Sequence, residues 1–230
     1  MRKLIFVLTM LTALFSAAIT VARHGGSRVP TALDAYLSQP DGSPCPTTCL
    51  YGVSPGKIRF VEAERLLRTH PALRGRILLE RNNGFLTELF TVNHVITLIR
   101  GPDNTLDLVS VRYTDDSGVI IPADWPDQPT YQAGLAPLGD ALYRFGPPDR
   151  VSISRNRERT ARFFYLAQGV IITTDAVVYG ESAHLDISDR VVYIGISAPE
   201  TYRNGWGGLV SGATHWGGFS HIRRYMRSSR

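Results

Sequence analysis

Cysteine is nearly absent from this chain, at two residues in 230. That excludes a disulfide-rich miniprotein and any four-cysteine zinc module. Lysine is also scarce, at two against 23 arginines, a bias read as the coding composition of a GC-rich genome and not as an arginine-specific function. No H-E-x-x-H pair occurs, and none of the six histidines has a partner at helical ligand spacing. The nearest approach to a nucleophile elbow, Gly180-Glu181-Ser182-Ala183-His184, lacks the second glycine of G-x-S-x-G. Gly207-Gly208 and Gly217-Gly218 have neither the lysine nor the following helix pattern of a phosphate loop. No metal and no cofactor is therefore expected.

What is present is an apolar share of 43% and 10% aromatic residues, ample for a packed core and against wholesale disorder. The net charge of +5 invites a nucleic-acid reading until it is located. Arg2 and Lys3 supply two positive charges at the start, and Arg223, Arg224, Arg227 and Arg230 supply four at the end. Residues 4–222 are left at −1. A nucleic-acid surface needs basic residues clustered over a folded face, so no nucleic-acid partner is expected.

Leu4 to Ala22 is a stretch of nineteen residues without charge, proline or glycine, preceded by two basic residues. Such a run predicts either a single membrane-crossing helix or a signal peptide, over residues 1–22. Its length favours retention as an anchor, while Ser16-Ala17-Ala18 and Thr20-Val21-Ala22 would each serve a signal peptidase. Residues 23–43, with Gly25-Gly26, Pro30, Pro40 and Gly42, read as a flexible tether. The membrane, reached through the N-terminal helix, is accordingly an expected partner.

The folded part echoes itself. Glu64-Arg65-Leu66-Leu67-Arg68-Thr69-His70-Pro71 aligns with Asp140-Ala141-Leu142-Tyr143-Arg144-Phe145-Gly146-Pro147, each an amphipathic helix stopped by proline. Strand-like runs follow the first copy at 76–80, 85–92, 95–100 and 105–113, and the second at 150–154, 160–166, 170–176 and 190–197. Gly101-Pro102-Asp103-Asn104 and Ala167-Gln168-Gly169 supply hairpin turns. The predicted class is α+β: two tandem helix-plus-antiparallel-sheet repeats of about four strands each, packed together to bury the helix-facing sides. The first repeat spans 44–114 and the second 135–198. A linker at 115–134 joins them, and 199–230 is a basic tail rich in glycine and aromatic residues.

Two stretches carry a resemblance. Pro44-Cys45-Pro46-Thr47-Thr48-Cys49-Leu50-Tyr51-Gly52-Val53-Ser54-Pro55-Gly56 is one; the other is Leu135-Ala136-Pro137-Leu138-Gly139-Asp140 with Phe145-Gly146-Pro147-Pro148-Asp149-Arg150-Val151. Together they resemble a group of uncharacterised bacterial exported or membrane-anchored proteins that begin P-C-x-x-x-C-W-x-G-I-x-P-G. The helix and its G-x-P ending also look like the repeat unit of the SmpA/OmlA (BamE-type) outer-membrane assembly lipoproteins and of the β-lactamase inhibitor protein. Leu50 departs from the group's tryptophan, Pro137 stands where threonine or serine would cap the helix, and no lipidation cysteine is present. The resemblance implies architecture and an envelope location; it carries no catalytic residues.

Cys45 and Cys49, four apart, are read first as a disulfide, with free thiols or metal ligation as alternatives. A disulfide would place the chain in an oxidising compartment, outside the cytoplasm, either anchored or secreted. Trp206-Gly207-Gly208 recurs as Trp216-Gly217-Gly218, so Tyr202, Trp206, Trp216, Phe219 and Tyr225 form a candidate binding surface, unless they pack back to complete the core. With no catalytic set in the sequence, the leading expectation is a binding module for another envelope protein or a cell-wall polymer, acting through that tail or an exposed sheet face. The alternative is an envelope hydrolase assembled from dispersed residues such as His184, Asp186 and Asp189.

Overall fold

The computed structural model describes residues 10, 31–45, 48–114, 134–153, 160–175, 177–179, 182–198, 200–201 and 210–219. The chain divides into two units, 1–31 and 32–230. Of the first, only Met10 and Thr31 are described; the sheet and the helices packed on it belong to the second.

A one-turn 3-10 helix at Ala32–Ala35 precedes helix α1 (Phe60–Thr69). Strands β1 (Leu79–Asn82), β2 (Leu86–Phe90), β3 (His94–Arg100) and β4 (Leu106–Tyr113) follow. A short β5 (Ala136–Pro137) leads into helix α2 (Leu138–Phe145). Then come β6 (Arg150–Ile153), β7 (Thr160–Tyr165), β8 (Val170–Asp175), the hairpin of β9 (Val177–Tyr179) and β10 (Ser182–His184), β11 (Arg190–Ser197) and β12 (Thr214–His215).

Both helices stop where proline dictates. Proline disfavours helical geometry in the residue before it, and His70, ahead of Pro71, is extended with φ −62° and ψ 131°. Gly146, ahead of Pro147, ends α2 with φ +79°, a conformation that glycine adopts without steric cost. Neither helix start has a side-chain cap; each is held by backbone carbonyls from a turn. Phe60 N donates to Asn104 O (3.0 Å), while Leu138 N and Gly139 N donate to Asp189 O and Ile187 O (both 2.7 Å). These carbonyls meet N–H groups that a helix cannot pair internally.

Apart from β9 and β10, which pair only with each other, the strands form one antiparallel sheet in the order β1-β2-β3-β4-β11-β8-β7-β6-β12, with β5 alongside β11. Its centre is the β4–β11 pair, where Val109 lies opposite Ile196 and Val111 opposite Ile194. Phe60, Ala63 and Leu67 of α1 and Leu138 and Ala141 of α2 share one core with alternate residues of the strands, among them Leu89, Ile96, Leu98, Phe163 and Ile172. The α+β class and the antiparallel sheet are thus as the sequence predicts, and the strands of the two predicted repeats make one continuous sheet instead of two. Within the stretch read as a tether, Ala32–Ala35 forms its 3-10 turn and Leu33 and Leu37 are buried in the core.

One expectation is corrected. Among the described residues no helix is long and apolar enough to cross a membrane; α1 has ten residues and α2 eight, where a span needs about twenty. The run from Leu4 to Ala22, Met10 apart, lies outside the described residues. The membrane-crossing or signal helix read there is withdrawn, and the membrane as a partner through it is withdrawn with it. Most of the 115–134 linker also lies outside the described residues.

Candidate binding surface

Successive side chains of a strand point to opposite faces. The residues that alternate with the helix-covered ones therefore make a second, outer face, on which Val210 and Ala213 lie over Phe164 and Ile171 at the β7–β8 end. Register aligns them in rows across the sheet. One row runs Val95, Arg112, Tyr193, Thr173, Arg162 and Ser152, on β3, β4, β11, β8, β7 and β6. The next runs Thr97, Ser110, Gly195, Ile171 and Phe164.

Tyr193 is the centre of this face. A β-carbon added to Gly195 would stand 2.6 Å from the Tyr193 hydroxyl and 2.9 Å from its ring, so the ring lies along the strand in space that only glycine leaves free. Ser110 stands opposite Gly195 on β4. Burial raises the phenol above its ordinary value, opposed by the Ser110 hydroxyl and the guanidiniums of Arg112 and Arg162. Arg112 is exposed and Arg162 half-buried. Among the described residues neither forms an ion pair; both bridges present involve Arg68.

Beside this row lies a small apolar patch. Phe164, Ile171 and Ala213 are buried together, with Leu166, Val210 and Tyr193 packed against them. Arg150 Nη1 donates to Ala213 O (3.2 Å), and β12 then pairs with the β6 edge, Thr214 opposite Val151. The chain crosses that edge. Trp216 is half-buried on the helix side, edge-on to Phe163 (5.9 Å) and Phe219 (5.3 Å). Of the predicted aromatic surface, Trp216 and Phe219 are thus together and packed against the core; Tyr202, Trp206 and Tyr225 lie outside the described residues.

Cys45 and Cys49 form a disulfide with Cα atoms 5.9 Å apart, which closes the free-thiol and metal alternatives. It borders an open cleft of about 300 Å³ shared with Leu37, Thr48, Arg144, Phe145 and Gln168. The carboxylates named for hydrolysis serve a turn. Asp186 accepts from Ser188 N (2.8 Å) and Oγ (2.7 Å), and Asp189 accepts from Asp186 N (2.8 Å). The Ser188 hydrogen bonds hold Asp186 below the usual carboxylate range, and burial raises Asp189. Among the described residues no three His, Cys, Asp or Glu side chains gather to hold a metal.

A third cluster went unread in the sequence. Tyr36 and His94 share a 3.2 Å hydrogen bond between the hydroxyl and Nε2, and both rings stand edge-on to further aromatics, Tyr51 and Tyr113. Tyr51 continues to His70 at 5.2 Å. Burial lowers His94 to about 4 and pushes Tyr36 up to about 12. His70 is also lowered by burial, opposed by the Gln39 backbone carbonyl, which favours the protonated ring. These rings pack between the 3-10 segment, the end of α1 and the β3–β4 pair, so they are a mould for the core and not a site.

Arg112, Tyr193 and Arg162 were not singled out from sequence. The alternation in 191–196 is imperfect because the register shifts between Val191, buried in the helix-side core, and Tyr193, and nothing local tells that β4 and β8 flank β11. Comparison with family models, with curated proteins and with solved structures found no match to this chain.

Proposed function

We propose that this chain is an extracytoplasmic binding module that engages an envelope protein or a cell-wall polymer through the outer face of its sheet. The observation that carries this reading is Tyr193, seated over Gly195 between two arginines that no described carboxylate pairs. Tyrosine and arginine, with tryptophan, are the side chains enriched in the energetic centres of interfaces. The Cys45–Cys49 bond supports a location where disulfides persist.

We also propose that the sheet arose from two tandem units of the BamE-like kind, α1 with β1–β4 and α2 with β6, β7, β8 and β11. Two correspondences support this beyond the sequence echo. In each half the residue preceding the helix bridges the start of the last strand: Arg59 with Thr105, Pro137 with Arg190. In each, the first helical N–H is capped by the turn leading into that same strand. The twin units then join edge to edge through β4 and β11.

Photo-cross-linking tests the binding reading. A benzophenone side chain replaces Thr97, on the outer face, or Arg65, exposed on α1, in cells of the native host. Cross-linked species are expected from position 97 and not from 65. Products from position 65 alone, or from neither, overturn the reading.

A further inference from the structure

The outer face also specifies what kind of partner it takes. Arg112 lies directly opposite Tyr193 on one side, and Arg162 lies beyond Thr173 on the other. With strands about 4.8 Å apart, the two arginines stand roughly 14 Å apart at their backbones. Between them are Tyr193 and Thr173, both half-buried, and in the adjoining row Ser110 and Gly195 are buried. Other charges on this face are engaged or displaced. Arg81 lies over the Phe90 ring at 4.9 Å, and Arg150 binds the Ala213 carbonyl. Glu88 sits in the Ser110 row two strands from β4, and Asp175, two residues past Thr173 on β8 and diagonal to Arg162, has interactions of its own.

Resting on the binding function of this face, we propose that it docks an acidic peptide segment of a partner protein, its carboxylates paired by Arg112 and Arg162 across Tyr193. Arginine presents a planar fork suited to carboxylate. A phosphate-rich polymer would satisfy the same guanidiniums, but it has no use for the adjoining apolar patch of Leu166 and Val210 or for the aromatic ring between them. A peptide uses all three: charge pairing at two points, stacking on Tyr193 and apolar contact beside Arg162.

The test uses the full chain and a fluorescent twelve-residue peptide with glutamate at alternate positions, read by anisotropy. Its glutamine counterpart and poly(glycerol phosphate) are run beside it. The glutamate peptide is expected to bind and the other two to bind at least about tenfold more weakly, a difference of about 1.4 kcal/mol. R112Q and R162Q are each expected to weaken the glutamate peptide about fivefold or more. R65Q/R74Q removes two exposed arginines elsewhere and should leave binding unchanged. Equal binding of the glutamine peptide, preference for poly(glycerol phosphate), no binding of the glutamate peptide, or indifference to both arginine variants overturns the proposal. If cross-linking from position 97 persists in any of those cases, the outer-face reading stands and only the acidic partner falls; if it is lost too, both fall.

Discussion

At the scale of single residues, the ring cluster around His94 makes stability depend on pH. His94 is hydrogen-bonded to Tyr36 and flanked edge-on by Tyr113, and its pKa of about 4 is below the unfolded value of about 6.5. Above pH 6.5 the ring is neutral in both states, and its contribution is fully present. As pH falls through 6.5 the unfolded chain takes up a proton that the folded chain refuses until about 4, so stability drops across that window by up to about 3 kcal/mol. His70 shifts in the same direction and adds to the slope, while Tyr36, pushed up, stays protonated throughout. H94Q should therefore lose less stability than the parent between pH 7.5 and 4.5, with a residual slope from His70. Urea midpoints at the two pH values measure this; identical drops in parent and variant would refute it.

At the scale of elements, α1 is fixed to the β1–β2 edge by a buried carboxylate more than by its visible ion pair. Glu64, 7% exposed, accepts from Thr87 Oγ1 (2.5 Å) and Asn82 Nδ2 (3.1 Å), and Thr87 is fully buried. Arg68 reaches Glu80 through two hydrogen bonds, but its side chain is 42% exposed. Exposed pairs contribute at most about 1 kcal/mol, whereas leaving buried polar groups without partners costs about 1–3 kcal/mol. E64A should therefore lower the unfolding free energy by about 2 kcal/mol, and R68A by less than about 1. A larger loss from R68A in denaturant titration would reverse this ordering.

Elements of this kind were largely legible in the sequence. The eight strands that make the two meanders follow the predicted runs to within a few residues, because each alternates or ends in a turn with its own chemistry. Gly101 N to Thr105 O (2.9 Å), with Asn104 at φ +59°, is the hairpin that Gly-Pro-Asp-Asn announces. What local pattern could not reveal was set by distant partners. β5 and β12 have two residues each and exist only because β11 and β6 present edges to them. The echo equates Glu64 with Asp140, yet Glu64 is buried against Thr87 while Asp140 accepts from Ala32 N (3.0 Å). The Arg112–Tyr193–Arg162 row joins positions as much as 81 residues apart in sequence, and no periodicity within one strand encodes its neighbours.

At the scale of the molecule, the β4–β11 pair decides whether the halves behave as one body. Ile194 is fully buried and stands between Val111 on β4 and Ile172 on β8, so the cores beneath the two helices meet at its side chain. Truncating a buried isoleucine to alanine costs about 2–5 kcal/mol, a large share of the roughly 5–15 kcal/mol that holds a typical domain together. If the sheet is one cooperative unit, that loss is felt on both sides of the seam. I194A should give a single urea transition at a lower midpoint, and hydrogen exchange should quicken by similar factors in β2–β3 and in β7–β8. Faster exchange in β7–β8 alone, with β2–β3 protected as before, would mean that the halves open independently. The row of Arg112, Tyr193 and Arg162 spans that same seam. Cooperative opening would then couple the geometry of the binding face to the stability of the whole sheet.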